Sequence, residues 1–285
     1  MPILKSSFKR LIMYKIFLAS TFFLGVFTGV AQEINQNNVG ILKLGVVDGI
    51  QSVELGEKRM LNIYLPDGYT DNPTATYPVI YLLDGSENED LIHIVGVVQF
   101  LTMIEKMPKS IVVGIANIDR KRDFTFPTTI AKDKKDYPTT GSSAKFTDFL
   151  EKELQPYIQK HYKTNSVKTI IGQSLGGLLA TEILLKKPRL FNNYVIVSPS
   201  LWWDNESLLK FLPTLSNQKF DPVNVYIAVG TEGKQMENDA RSLSENLLSV
   251  ANENVKVKFA AMPEENHLTI LHNSVYKALE YLNKK

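Results

Sequence analysis

The sequence predicts an α/β fold: a mostly parallel central sheet with helices on both faces and antiparallel strands on its N-terminal side. Three observations predict it. Continuous apolar runs at Tyr77–Leu83, Ser110–Ala116, Asn193–Ser198 and Val223–Val229 fit strands buried on both faces, as parallel strands are. Stretches with apolar residues at helical spacing alternate with these runs. Only the first two strands, Gly45–Leu55 and Lys58–Leu65, follow one another directly, and the second alternates as a half-exposed antiparallel strand does.

The chain opens with a leader. Lys5, Lys9, Arg10 and Lys15 form a basic stretch, Ile16 to Val30 is largely apolar, and Gly29-Val30-Ala31 places small residues before Gln32. This pattern predicts a signal peptide over 1–31 and export to the periplasm or medium. The apolar run is short of the roughly 20 residues that a membrane span needs. The leader carries four basic residues and no acidic ones. Removing it takes the formal charge from +2 to 2 − 4 = −2. A near-neutral mature chain is a poor match for nucleic acid or an anionic membrane as partner. With no cysteine, disulfides, thiolate metal sites and a cysteine nucleophile are all excluded. Residues 32–285 are read as a single domain, and the sequence does not fix its oligomeric state.

After the first two strands, 77–83 and 110–116 are buried strands separated by a helix over 90–106. Residues 117–143 form a long irregular region, and loops of that length are usually functional. Phe146, Phe149, Leu150, Leu154, Tyr157 and Ile158 recur at helical spacing, so 144–162 reads as one amphipathic helix. A strand over 167–171, a helix over 178–187 and a strand over 193–198 follow. Residues 201–212 read as a loop and short helix, then come strand 223–229, helix 235–250, strand 255–261 and a terminal helix over 270–283.

The functional signal lies in Gly172-Gln173-Ser174-Leu175-Gly176-Gly177, between an apolar strand and a helix. This is the context of a nucleophile elbow, in which a tight strand-to-helix turn presents the serine hydroxyl. Gly172 and Gly176 are the small residues that relieve crowding on either side. N–H groups from Leu175 onward point to where an oxyanion would form.

A serine nucleophile needs a base and an acid after it in the chain. Of the four histidines, His93 and His161 precede Ser174, and His272 falls within the last helix. His267 follows the last strand, in Glu264-Glu265-Asn266-His267, and is the candidate base. For the acid that fixes the imidazole tautomer, Glu232 follows the strand 223–229, while Glu206 and Asp204 follow the strand before it. A Ser–His dyad also fits.

At these residues the chain resembles the esterase D-like family of α/β-hydrolases. The resemblance runs from about Lys58 to the C-terminus. It rests on Asn62-Ile63-Tyr64-Leu65-Pro66-Asp67-Gly68-Tyr69, Tyr77-Pro78-Val79-Ile80-Tyr81-Leu82-Leu83-Asp84-Gly85 and Arg122-Asp123-Phe124-Thr125. It continues through Phe149 to Tyr157, the elbow, and Ser198-Pro199-Ser200-Leu201-Trp202-Trp203. The family includes ferric-siderophore (enterobactin-type) esterases, S-formylglutathione hydrolases, feruloyl and acetyl-xylan esterases, and mycolyltransferases. The Ser-Pro-Ser-Leu-Trp-Trp form is most similar to the siderophore-esterase branch, which also contains proteins assigned a Ser–His dyad. The resemblance implies an α/β-hydrolase fold, Ser174 as nucleophile and His267 as base. It also implies oxyanion N–H groups from Leu175 and from Gly85 or Ser86. One departure is Gln173, where many relatives carry His; that position takes no part in the reaction.

The implied activity is hydrolysis of a small carboxylic ester through an acyl-enzyme, which needs no metal or organic cofactor. Trp202 and Trp203 are candidates for an aromatic substrate wall. Arg120, Lys121 and Arg122 are candidates for attracting an anionic substrate such as a catecholate ester, although Arg122–Asp123 also fits a structural ion pair. An exported enzyme has no access to the cytosolic thioester of S-formylglutathione hydrolases. The rival readings are a carbohydrate (acetyl or feruloyl) esterase, a non-catalytic binding protein on the same fold, and a peptidase lacking a cap or propeller domain.

Overall fold

The computed structural model describes residues 44–212, 221–250 and 254–284; the leader expected over 1–31 lies outside them. Within these residues the apolar runs form one eight-stranded sheet. Its strands are β1 (Val46–Gln51), β2 (Lys58–Tyr64), β3 (Tyr77–Leu82), β4 (Ile111–Ile115), β5 (Thr164–Gln173), β6 (Asn193–Val197), β7 (Val223–Val229) and β8 (Val255–Ala261). The spatial order is β1-β2-β4-β3-β5-β6-β7-β8. β1 pairs antiparallel with β2, and β2 antiparallel with β4. Every other pairing is parallel, as the sequence predicts.

The continuous apolar runs have a direct structural cause. Successive side chains point to opposite faces, and here each face carries its own core. Val79, Tyr81, Val113, Ile170, Ile196 and Ile227 enter one core. Their neighbours Ile80, Leu82, Val112, Ile171, Val197 and Tyr226 enter the other. Each buried aliphatic side chain contributes about 1.5–3 kcal/mol, so both faces favour apolar residues in mid-strand.

The helices are α1 (Leu91–Met103), α2 (Arg120–Phe124), α3 (Ala131–Asp136), α4 (Ser143–Phe149), α5 (Gln155–His161), α6 (Leu175–Lys186), α7 (Lys234–Val250) and α8 (Ile270–Leu282). α1 and α8 cover one face of the sheet. α4, α5, α6 and α7 send buried residues to the other. The single helix expected over 144–162 is interrupted by a π-helical turn at Leu150–Leu154. Pro156 at the start of α5 has no N–H for the preceding turn, and the wider turn absorbs that loss. The irregular region after β4 contains the two short helices α2 and α3.

This order places β5 in the middle of the sheet. The loops after β3, β4, β5, β6, β7 and β8 all leave from the same, carboxyl-terminal edge. Ligands of open α/β sheets bind at that edge, and Ser174, Glu232 and His267 each sit on one of these loops.

Candidate active site

Ser174 joins β5 to α6 with φ 57 and ψ −118. An L-residue holds such a conformation only when its surroundings enforce it. Here the Ser174 N–H donates to Val197 O (3.0 Å), and its carbonyl accepts from Leu178 N (2.9 Å) and Ser200 N (3.0 Å). Gly172 is required as expected, since a Cβ there would overlap the Gly176 backbone. The second required glycine is Gly177 and not Gly176. A Cβ on Gly177 would lie 2.9 Å from Pro199 Cα, whereas one on Gly176 would meet nothing nearer than 3.5 Å. The loop after β6, running close across the first turn of α6, causes the difference.

His267 and Glu232 come together from the turns after β8 and β7. His267 Nδ1 is 2.5 Å from Glu232 Oε2. The other carboxylate oxygen of Glu232 accepts from Gly230 N (2.9 Å) and from the Ser198 hydroxyl. The two turns are also joined through their backbones, as Thr231 N donates to Glu265 O (2.8 Å). A Cβ on Gly230 would sit 2.5 Å from that same carbonyl. The Glu232 side chain is 2% exposed. Burial alone would push its carboxyl up. The bonds from His267, Ser198 and the Gly230 N–H outweigh burial and hold it below the ordinary range. An ionised Glu232 accepts a hydrogen bond from Nδ1–H, which fixes the tautomer that leaves Nε2 as the proton-accepting nitrogen.

Ser174 lies where two cavities meet. The larger, about 410 Å³, is lined by Ser174, Ser200, Trp202, Thr231, Glu232, Met236, Asn266 and His267. The smaller, about 170 Å³, is lined by Arg120, Lys121, Thr125, Tyr137, Thr140, Leu175 and Trp203, again with Ser174, Ser200 and Trp202. The hydroxyls of Ser174 and Ser200 are 3.2 Å apart. Ser200, which sequence reasoning did not single out, is therefore within hydrogen-bonding distance of the elbow hydroxyl.

The other two acid candidates lie elsewhere. Asp204 accepts from Thr128 Oγ1 (3.1 Å), Thr129 N (2.6 Å), Thr129 Oγ1 (2.8 Å) and Ser207 Oγ (2.6 Å). Burial opposes its ionisation, but these donors prevail and bring its carboxyl down to about 2. Asp204 thus anchors the long loop after β4. Glu206 is left-handed at φ 58 and its charge acts on buried Asp239. The remaining histidines stay out of the site: His93 meets Asp90 and His272, and His161 meets the Tyr157 carbonyl.

The expected oxyanion donors divide. The Leu175 N–H sits in the first turn of α6, where no intrahelical acceptor exists, and Leu175 lines the smaller cavity. Gly85 N–H is already committed to Ile115 O (3.0 Å), and Ser86 N–H to Glu89 Oε2 (3.3 Å). Neither residue lines the two cavities. The cause is Asp84 at φ 53, which turns the chain toward β4 so that Gly85 extends that pairing. Two cationic side chains, Lys121 and Arg120, line the smaller cavity, and Arg120 is the one bonded to the elbow strand. Its Nε and one terminal nitrogen grip Asp84 (2.6 and 2.9 Å), and that nitrogen also reaches Gln173 O (3.1 Å). Burial raises the Asp84 carboxyl despite Arg120 and Asn117.

Arg122, expected at the substrate, does not line either cavity. Its guanidinium is taken up by Glu57 (2.5 and 3.1 Å) and Asp123 (2.8 and 3.3 Å). Asp123 in turn pairs with fully buried Arg59. Carboxylates on both sides raise the Arg122 guanidinium above its already high value. Arg122 belongs to a buried ion network tying β2 to α2, the helix that presents Arg120 and Lys121. Of the two tryptophans, Trp203 is 1% exposed and donates Nε1–H to Phe126 O (2.9 Å). Trp202 is half-buried and lines both cavities.

Residues 52–274 match the family described as "Putative esterase". The ferri-bacillibactin esterase BesA of Bacillus subtilis is 30% identical over 252 residues, covering 79% of this chain and 85% of BesA. An IroE-like serine hydrolase from Shewanella oneidensis superposes with a TM-score of 0.78 at 30% identity, covering 84% of this chain and 80% of that one. The BES protein from Bacillus cereus superposes at 0.76 with 30% identity, covering 87% and 97%. On these matches the chain belongs to that esterase family, has the α/β-hydrolase fold, and is a carboxylic ester hydrolase.

Proposed function

We propose that this hydrolase works through an acyl-enzyme on Ser174, with His267 as base and Glu232 as the acid that orients it. The observation that carries the reading is a strained elbow serine sharing one cavity with a histidine whose Nδ1 is held by a buried carboxylate. His267 Nε2 takes the proton of Ser174 Oγ as that oxygen adds to the ester carbonyl. The carbonyl electron pair moves onto its oxygen, which the Leu175 N–H and Arg120 receive; such a donor is worth roughly 3–4 kcal/mol. Collapse of the intermediate expels the alcohol, which leaves with the proton from His267. Water, deprotonated by His267, then adds to the acyl carbon, and the carboxylic acid departs as Ser174 regains its proton.

The substrate we favour is a siderophore-type ester carrying a catecholate or similar electron-rich, anionic ring. Two observations support it. BesA bears the name of a ferri-siderophore esterase. The smaller cavity sets Arg120 and Lys121 beside Tyr137, Trp202 and Trp203, and Lys121 Nζ stands 4.6 Å from the Tyr137 ring centre. A cationic and aromatic wall suits a flat anion. Export by the leader over 1–31 would bring the enzyme to such a substrate outside the cytoplasm.

The test uses the chain from Gln32, with Ser174→Ala and His267→Ala alongside. p-Nitrophenyl acetate and butyrate should be hydrolysed by the parent and by neither variant. A ferric triscatecholate lactone should then be preferred over methyl ferulate and acetylated xylan. Preference for either of the last two would move the assignment to a carbohydrate esterase. A folded parent that neither turns over nor takes a fluorophosphonate at Ser174 would overturn the serine mechanism and leave a binding protein on the hydrolase fold.

A further inference from the structure

Gln173 precedes Ser174 and ends β5. Its side-chain amide crosses the site, where Nε2–H donates to the His267 carbonyl oxygen at 2.5 Å. The acceptor is a carbonyl, so chemistry alone requires the NH₂ end of the amide to face it. On its other side, the Gln173 backbone carbonyl accepts from Arg120 at 3.1 Å. One residue thus connects the arginine of the smaller cavity to the histidine of the larger.

The connection matters because the His267 ring itself is sparsely held. Its ring is 41% exposed and makes one hydrogen bond, to Glu232. The next residue, Leu268, is 92% exposed. The turn is closed on itself by Asn266 N donating to Thr269 Oγ1 and by Leu268 N and Thr269 N donating to Asn266, and it is joined to the Glu232 turn through Thr231 N and Glu265 O, but none of these bonds reaches the Ser174 segment. A ring tethered only through Nδ1 can pivot about that contact. Fixing the backbone carbonyl as well sets both ends of the side chain and leaves Nε2 one direction. Gln173 is also attached to Ser174 by a single peptide bond, so it ties the base directly to the nucleophile's own segment.

We propose that Gln173 is a positioning residue that clamps the His267 turn to the elbow and so aims the base at Ser174. This rests on the serine mechanism above, and it gives a reaction role to a position that the sequence reading left without one. Loss of the clamp affects the rate more than the fold, because the bond spans a solvent-facing turn and no core contact depends on it. Misplacing a reacting group by about 1 Å costs on the order of 10²-fold in rate, which is the upper end of the expected effect.

The experiment compares the wild-type chain from Gln32 with Gln173→Ala, Gln173→Glu and Gln173→His. Gln173→Ala removes the donor, and Gln173→Glu sets a carboxylate against the carbonyl. Gln173→His offers a ring N–H in its place. Hydrogen exchange of residues 262–271 should quicken in the first two, while melting temperature stays near wild type. kcat for p-nitrophenyl acetate should fall about tenfold to a hundredfold with KM little changed, more in Gln173→Glu than in Gln173→Ala, and recover in Gln173→His. Unchanged exchange in Gln173→Ala and Gln173→Glu would overturn the clamp whether or not the protein hydrolyses esters. Quickened exchange with unchanged kcat would overturn its role in aiming the base. An inactive wild type, by contrast, would count against the serine mechanism while exchange still reports on the clamp.

Discussion

Glu232 and His267 meet at 2.5 Å across two turns that no local sequence rule would bring together. The acid is held at three points: one oxygen on His267, the other on Ser198 and the Gly230 N–H. Of the three carboxylates considered from sequence, this one faces the base. Glu232→Gln should therefore lower kcat by about 10²–10⁴-fold, the range expected when the imidazole loses its orienting anion. Glu206→Gln should leave kcat near wild type. Asp204→Asn should do likewise but lower the melting temperature, because it weakens the hold on Thr128, Thr129 and Ser207. Steady-state kinetics beside thermal melts separate the three; equal kcat losses in Glu206→Gln and Glu232→Gln would remove the distinction.

The two tryptophans are adjacent in sequence yet perform different work. Trp203 is buried in the core with its indole N–H on Phe126 O. Truncating it to alanine should cost about 3–5 kcal/mol of stability. Trp202 is half-buried and borders both cavities. Trp202→Ala should raise KM for aromatic esters several-fold and leave the melting temperature almost unmoved. A chemical-melt and KM comparison of the two variants checks this, and similar destabilisation in both would contradict it.

The basic triplet after β4 divides in the same manner. Arg122 is spent on Glu57 and Asp123, and breaking one partner out of a partly buried ion network leaves charges uncompensated. Arg122→Gln should therefore lower stability without altering the preference among substrates. Lys121 forms no carboxylate pair among the described residues and stands over Tyr137. Lys121→Gln should reduce kcat/KM for an ester with an anionic acyl ring more than for p-nitrophenyl butyrate. That selectivity should also weaken as salt is added. Equal losses on both substrates would mean that Lys121 does not read charge.

What the sequence revealed follows from how local each signal is. Strand, turn and helix at 164–186 are written in consecutive residues, so the elbow was legible. The placement of Glu232 and His267 in the turns after β7 and β8 was legible too, because each loop follows its strand. Contacts between distant segments were not. The ion pair of Arg122 with adjacent Asp123 was within reach of the sequence, but its second partner, Glu57, lies 65 positions earlier, and only the β2–α2 approach reveals it. The acceptor of the Gly85 N–H was hidden for the same reason, since it is Ile115 O on the neighbouring strand. Ser198, Ser200 and Gln173 carried no signal beyond their place near the motif. Residue type alone cannot say which way a side chain on a loop will turn.

Asp239 supplies a test that is independent of catalysis. It lies on α7, 6% exposed, with one carboxylate oxygen lacking a hydrogen-bond partner among the described residues. Burial, and then the charge of Glu206, raise its carboxyl to about 6. The ordinary value in an unfolded chain is about 3.9. Between about pH 4 and pH 6 the unfolded chain has released this proton while the native state still holds it. The native state thus binds more protons over that window, and stability must fall as pH rises through it. Asp239→Asn, which never ionises, should escape the penalty. Its melting temperature relative to wild type should climb between pH 4 and pH 6 and hold its gain above that, with the gap closing again on acidification. Melts of the two proteins at pH 4 and pH 7.5 decide the matter: parallel curves with no pH-dependent gap would mean that Asp239 ionises as freely in the fold as outside it.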